Sequence, residues 1–578
     1  MNARVLLCAG VFLLAGCTGG REIPPAIALW ATGESRKVGP DDPAEDANYH
    51  WDAGTGTVSL TGAANEQVAF QLVLRSPRPV SGAALEASGL EGDAPGTSIP
   101  SGAVSFFAER YITVSVPTDR AGSTGAGEYP DPLIPFRDPY SPGKEDLALP
   151  LELVPDRNLP IWVDCAIPPG TPAGTYRGKI VLAAQGKELR RLNLVLKVRG
   201  FSLPDRPSLP VFFDLYGARW SRGEGLPWRL GEETWEVLKQ YEIMAHEHGF
   251  SNGHWGLMPA GASSSTEGVD WSLYDRYLGT VLDGSLFADG TPPACWELPY
   301  PERWNPGEEV LEAYTRDLVR HWDEQGWNLE DAFAYVWDEM GPTHPTVEAW
   351  GRTLRRASEG RVNYFYTCPP HPALYGIVDW WAPRASAYMP EETRKRQGEG
   401  ERCFFYHAGE PSVGLMCIDA TGLAFRTWAW MAWIYGCDGF FDWAANFWSE
   451  NPYLDPLSFD TDNGNMYLFY PGRQLDTVGL RAIKGPVPSF RLKALRRGIQ
   501  DYEYFRIARR AGLDVEPTVR SVVRKGLGVA GAYGIDPRAW SRDPEDWYRA
   551  RDRIGEMIED VLGRRGEKAL AEADPVSR

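Results

Sequence analysis

Two adjacent carboxylic acids, Asp338 and Glu339, end the segment Tyr335-Val336-Trp337-Asp338-Glu339. Paired acids can divide general acid–base work between them when their surroundings keep one charged and the other protonated. The pair closes an apolar strand pattern over 331–339 and precedes Gly341-Pro342. In a barrel, the C-terminal end of a strand is the catalytic face. Neighbours on a regular strand point to opposite sides, so both acids reach one ligand only where the strand breaks, and Gly-Pro supplies that break. A second pair, Asp323-Glu324, lies in a helical pattern with Arg316, Arg320 and His321 and reads as a solvated face.

Other polar and aromatic residues fall at strand ends in the same pattern: Asp214 and Tyr216, Glu297, Tyr406 and His407, then Asp442, Trp443 and Asn446. From these and the pair's neighbour we expect Tyr406, Trp443, Asn446, Trp337 and His407 to bind substrate. Eighteen of the 23 tryptophans lie between Trp220 and Trp448. Flat aromatic faces stack on the apolar faces of sugar rings, although any one Trp can equally fill core. Trp428–Trp433 reads as a helix packed on the barrel, and Trp380-Trp381 alternate, so only one can face inward.

The elements that must position these residues form two textures. From about 58 to 201, short β-rich runs alternate with turns, as in Glu66–Leu74, Leu159–Ile167 and Leu189–Val198, predicting a β-sandwich over 25–204. The Pro/Gly-rich Thr118–Pro142 reads as a long loop. After Leu203-Pro204-Asp205-Arg206-Pro207, strand patterns alternate with helical ones. Strands at 210–217, 251–258, 293–298, 331–339, 362–368, 378–384, 402–408 and 439–446, with a closing helix at 488–512, predict a (β/α)8 barrel over 207–514. Residues 515–578 read as a helical C-terminal extension.

Three features in this order resemble glycoside hydrolase family 123: the front-sandwich run Asn65–Leu72 (NEQVAFQL), Asp338-Glu339 on the fourth strand, and Arg491–Tyr504 (RLKALRRGIQDYEY). The last is similar to the region described as domain of unknown function 4091. Met340 stands where relatives often have Pro. The resemblance implies retaining cleavage of β-linked N-acetylgalactosamine from glycans with help from the substrate's own acetamide, an exception to the two-carboxylate scheme. Asp338 would then orient the acetamide N–H and stabilise the oxazolinium, while Glu339 protonates the leaving oxygen and later deprotonates water. This calls for an apolar setting at Glu339 and a charged Asp338. Tyr406 would donate to the acetamide oxygen, and Trp443 would floor its methyl group. Two other readings stay open: a two-carboxylate glycosidase pairing Glu339 with Glu297 or Asp442, and a non-catalytic glycan-binding lipoprotein.

The N-terminus points to export. Residues 1–16 carry Arg4, an apolar run Val5–Ala15 and Gly16, and Leu14-Ala15-Gly16-Cys17 resembles the bacterial lipobox. Cys17 would become the diacylated N-terminus, tethering the protein to a bacterial membrane, and Thr18 in place of Asp favours the outer membrane if the cell is Gram-negative. With 78 acidic against 59 basic residues, a formal charge of −19, nucleic acid is not expected as a partner. The cysteines lack a Cys-x-x-Cys pair, and His246, His248 and His254 are poorly spaced for a metal. The glycine pattern Gly526–Gly531 follows a basic helical stretch rather than a buried strand. No cofactor and no metal are required.

Overall fold

A computed structural model describes residues 27–565 except 142, 255, 263–267, 302, 408–410 and 529–538. The signal segment and Cys17 lie outside the described residues. The front of the chain builds two facing sheets. One has five antiparallel strands in the order 28–33, 66–75, 159–167, 104–114, 127–135. The other runs 151–153, 80–87, 174–184, 187–202, 57–64, 51–52, with Thr57–Ala64 parallel to Lys187–Ser202. Period-two alternation sends Leu192, Leu194, Leu196 and Val198 into the core between them. Gly127–Pro135, expected to be loop, is instead a strand paired with Val104–Val114. Its prolines are tolerated because it is an edge strand.

Eight short parallel strands follow: β1 Val211–Asp214, β2 Ser251–Gly253, β3 Trp296–Glu297, β4 Ala332–Ala334, β5 Asn363–Tyr366, β6 Trp380–Trp381, β7 Arg402–Tyr406 and β8 Gly439–Asp442. Their order is β2-β1-β8-β7-β6-β5-β4-β3, a nearly closed barrel with no ladder joining β2 to β3 among the described residues. Its interior is packed with aromatic rings: Phe212, Phe333, Phe365, Trp380, Phe404 and Phe441. Trp380 enters this core, whereas Trp381 points outward and its indole N–H donates to Glu401 at 2.5 Å.

Outside the strands lie α1 Glu232–Glu247, α2 Glu308–Gln325, α3 Pro345–Ala357, α4 Thr427–Tyr435, α5 Phe490–Arg510 and α6 Pro544–Arg565, with shorter helices between. The β5–β6 crossover holds only a 3-10 turn, Pro372–Leu374, which explains its weak helical signal. Helix α4 is apolar all round because it is covered all round: Trp430 packs on Phe505 of α5 and Trp547 of α6. Asp323 and Glu324 sit on the exposed face of α2, paired with Arg361 and Arg320. The described cysteines, from Cys165 to Cys437, are buried and free.

Helix α5 joins the sandwich to the barrel through buried charge. Arg491 meets Asp131 at 2.8 Å, Lys493 and Arg496 meet Asp164 at 2.7 and 2.5 Å, and Arg497 meets Glu34 and Glu66 at 2.6 Å each. Glu66 also accepts from Tyr504 at 2.8 Å and from Arg551 of α6. Burial alone would raise Asp164, but Arg496 and Lys493 hold it well below the usual carboxylate range. The same burial lowers Lys493 to about 8. Every buried charge here has a partner, the condition under which such groups are tolerated.

Candidate active site

β4 ends at Ala334, earlier than the pattern over 331–339 predicts. Residues 335–338 run on without a ladder, and the chain then turns sharply at Glu339, whose φ is 49°. The break therefore falls on the acid itself, two residues before Gly341 (φ 83°). A left-handed backbone costs a non-glycine residue about 1 kcal/mol. One hydroxyl offsets it: Thr367, just past β5, accepts the Glu339 N–H at 3.0 Å and donates to Asp338 Oδ1 at 2.8 Å. Thr367 thus ties both acids to the neighbouring strand.

Asp338 has a second donor, the Tyr335 hydroxyl, at 3.1 Å. Burial pushes its carboxyl up, the Thr367 bond opposes this, and the charge of Glu339 adds to the rise. Arg303 is brought near by its N–H bond to the Val336 carbonyl, at 2.8 Å. The Glu339 side chain is 49% exposed, with the Arg384 guanidinium 3.9 Å from Oε1. Tyr406 donates its hydroxyl to the same oxygen. Burial first, then that bond and the charge of Glu339, raise the Tyr406 phenol far above its ordinary value. The environments are the reverse of those expected from sequence: Asp338 is the shielded acid and Glu339 the open one. The physical reason is the turn at residue 339, where the extended direction that Asp338 still follows ends.

The remaining expected contacts separate in space. Trp443 is half-buried at the rim, among Tyr216, Phe447 and Phe459. Trp337 is 6% exposed and packed in the main core. Asn446 is fully buried and straps β8 to β1: its Oδ1 accepts the Tyr216 N–H at 2.6 Å. His407 is also fully buried, 3.9 Å from Asp442 and packed on Trp428. All three side chains are buried in this structure. Thr367, Tyr335 and Arg384 were not singled out from sequence as site residues, although Thr367 and Arg384 lie at the ends of predicted strands, where a polar residue is itself a signal.

Among the described residues no cluster of His, Cys, Asp and Glu could hold a metal ion. His246 pairs with Asp289 at 2.8 Å and His254 with Glu242 at 2.9 Å. A cavity of about 590 Å³ lies at the far end, between sandwich and barrel, and contains neither Asp338 nor Glu339. What the upper face offers is a half-buried acid held by two hydroxyls, an accessible acid beside it, and aromatic rings close by.

The comparisons agree with this architecture. The family model described as "Glycoside hydrolase 123, catalytic domain" matches residues 300–508, and "Glycoside hydrolase 123 N-terminal domain" matches 48–184. Among solved structures, a family 123 glycoside hydrolase from Clostridium perfringens, studied for glycolipid glycan hydrolysis, superposes with a TM-score of 0.66 at 14% identity, covering 95% of this chain and 100% of that one. A family 39 glycoside hydrolase from Bacteroides cellulosilyticus WH2 reaches a TM-score of 0.30 at 9% identity, covering 77% and 81%. A Bacteroides ovatus GH5 xyloglucanase reaches 0.26 at 8%, covering 77% and 98%. No curated protein matches the chain. With its front and catalytic regions both matched and the whole architecture shared, the chain belongs to glycoside hydrolase family 123 and is a glycosidase.

Proposed function

We propose that this glycosidase cleaves a β-linked N-acetylhexosamine, N-acetylgalactosamine ahead of N-acetylglucosamine, by substrate-assisted retaining catalysis. The observation that carries the reading is the Thr367 tie, which presents Asp338 and Glu339 from one turn, hence from one side of the cleft. The two acids of a two-carboxylate glycosidase flank the scissile bond instead. Asp442, one of the other partners considered, is fully buried, which weighs against it as a nucleophile.

In the proposed reaction the acetamide oxygen attacks C1 as the bond from C1 to the leaving oxygen breaks. Glu339 gives its proton to that oxygen. Asp338 accepts the acetamide N–H and balances the positive oxazolinium. Water then adds to C1 and releases the acetamide oxygen, returning its proton to Glu339. Trp443 is proposed to border the sugar.

The test is a panel of chromogenic β-glycosides with and without 2-acetamido groups, together with a glycolipid glycan, on the wild type and Glu339→Gln. Hydrolysis confined to 2-acetamido substrates, and lost in the variant, is expected. Activity on plain glucosides or galactosides overturns the reading. We further propose that Cys17 anchors the protein to a bacterial membrane. Palmitate labelling that disappears in Cys17→Ala would support this, and unchanged labelling would refute it.

A further inference from the structure

The seam between β2 and β3 is spanned by side chains. Asp214 ends β1, Gly253 ends β2 and Glu297 ends β3. The His254 N–H donates to Glu297 Oε2 at 3.3 Å. Their oxygens converge where Gly253 has no side chain: a β-carbon there would lie 1.7 Å from Asp214 Oδ1 and 2.7 Å from Glu297 Oε2. Two carboxyl groups crowded into one space resist being charged together. Asp214 is fully buried, whereas Glu297 keeps 8% exposure. Burial and the neighbouring Glu297 push the Asp214 carboxyl well up, and Asp442 from β8 and Asp338 from beyond β4 add to the rise. Burial therefore favours the neutral form of Asp214, the deeper of the two acids.

The pair lies close to Asp338: Tyr335, which donates to Asp338, is raised by Asp338 and by Asp214 alike. Yet no step above uses either residue, and both precede the 300–508 region matched as the catalytic domain.

We propose that Asp214, as a neutral acid, donates to Glu297 and fixes its carboxylate as the acceptor for a ring hydroxyl of the same sugar whose acetamide Asp338 engages. Asp214 is then a positioning residue and Glu297 a determinant of hydroxyl specificity. The inference rests on the proposed function. A site built to bind a hydroxyl rejects the analogue lacking it, because its own polar groups are left unpaired.

The experiment measures kcat and KM for wild type, Asp214→Ala, Asp214→Asn and Glu297→Gln on 4-nitrophenyl N-acetyl-β-galactosaminide and its 3-, 4- and 6-deoxy analogues. For wild type, one deoxy analogue should lose about 10- to 100-fold in kcat/KM. In Glu297→Gln the parent should lose a similar factor, and that analogue less than about threefold more, the non-additivity of a shared contact. Asp214→Ala should raise KM more than it lowers kcat, and Asp214→Asn, which keeps a donor, should recover most of the loss. Deoxy penalties unchanged in Glu297→Gln, or Asn no better than Ala, overturn the inference. Should Asp214→Ala not fold, the Glu297→Gln deoxy series decides. If wild type hydrolyses the parent but the coupling is missing, this inference alone fails. If wild type leaves every 2-acetamido substrate intact, the proposed function fails and takes it along.

Discussion

Replacing Thr367 by Val tests the geometry of the acid pair without touching either acid. Valine has nearly the shape of threonine and lacks the hydroxyl. Two bonds vanish together, the one given to Asp338 at 2.8 Å and the one taken from Glu339 N–H at 3.0 Å. A hydrogen bond to a charged group contributes about 1.5–3 kcal/mol, and the lower end applies because Asp338 is only partly buried. Freed of its N–H bond, the turn at Glu339 also loses what offsets about 1 kcal/mol of left-handed backbone. Together these predict a fall in kcat of about 10- to 100-fold. The Thr367 bond is the main influence lowering Asp338, so its loss raises that carboxyl further. Asp338 must be charged to work, so the acid limb of kcat/KM should move to higher pH. Rates on a 2-acetamido glycoside across the pH range, with a melting curve for each variant, supply the assay, and Thr367→Ser should stay near wild type. A folded Thr367→Val with kcat within about twofold of wild type and an unmoved acid limb would refute the reasoning.

Gly253→Ala should behave as an active-site lesion although no reacting atom is touched: its methyl would collide with Asp214 and Glu297, and kcat/KM should fall at least about tenfold. Trp443→Ala should raise KM several-fold with a smaller effect on kcat if the ring borders the sugar, and equal kinetics on all substrates would remove it from the site. Asp164 is held low when folded, so its contribution to stability is complete above the ordinary carboxylate pKa and fades as pH falls below it. Asp164→Asn, which strands Lys493 and Arg496, should cost about 3–5 kcal/mol near neutrality and flatten the acid limb of the melting temperature, as calorimetry would show.

The sequence carried the architecture because periodicity is written by burial. Leu192, Leu194 and Leu196 alternate since one face of their strand meets the other sheet. The eight barrel strands were legible, for they are apolar runs between helical patterns. Their lengths were not: β4 stops at Ala334 because a backbone turn, invisible to hydrophobic pattern, takes over. The edge strand Gly127–Pro135 was hidden by prolines that elsewhere signal loops. At the site, the acid pair was readable from adjacency and strand position. Its environments were not, since they depend on Thr367, Tyr335 and Tyr406, which arrive from other positions in the chain. The burial of Trp337, Asn446 and His407 was not legible either, since position at a strand end does not show depth. The motifs Asn65-Glu66-Gln67 and Arg491–Tyr504 were recognisable yet silent about their purpose. They prove to be two halves of one joint, with Glu66 on Arg497 and Tyr504, and Gln67 on Arg496 at 2.5 Å.

That joint limits how the enzyme can be dissected. Arg551, near the end of the described chain, grips Glu66 near its beginning, and Arg199 of the sandwich is clasped by Asp552 and Glu559. A fragment spanning only the barrel would leave Arg497 and Lys493 on α5 without their carboxylate partners and strip Trp430 of its Trp547 contact. Crystallographers or engineers seeking a minimal catalytic piece should therefore keep both ends, and grafting this barrel onto a foreign front domain would require transplanting Glu34, Glu66, Asp131 and Asp164 as a set.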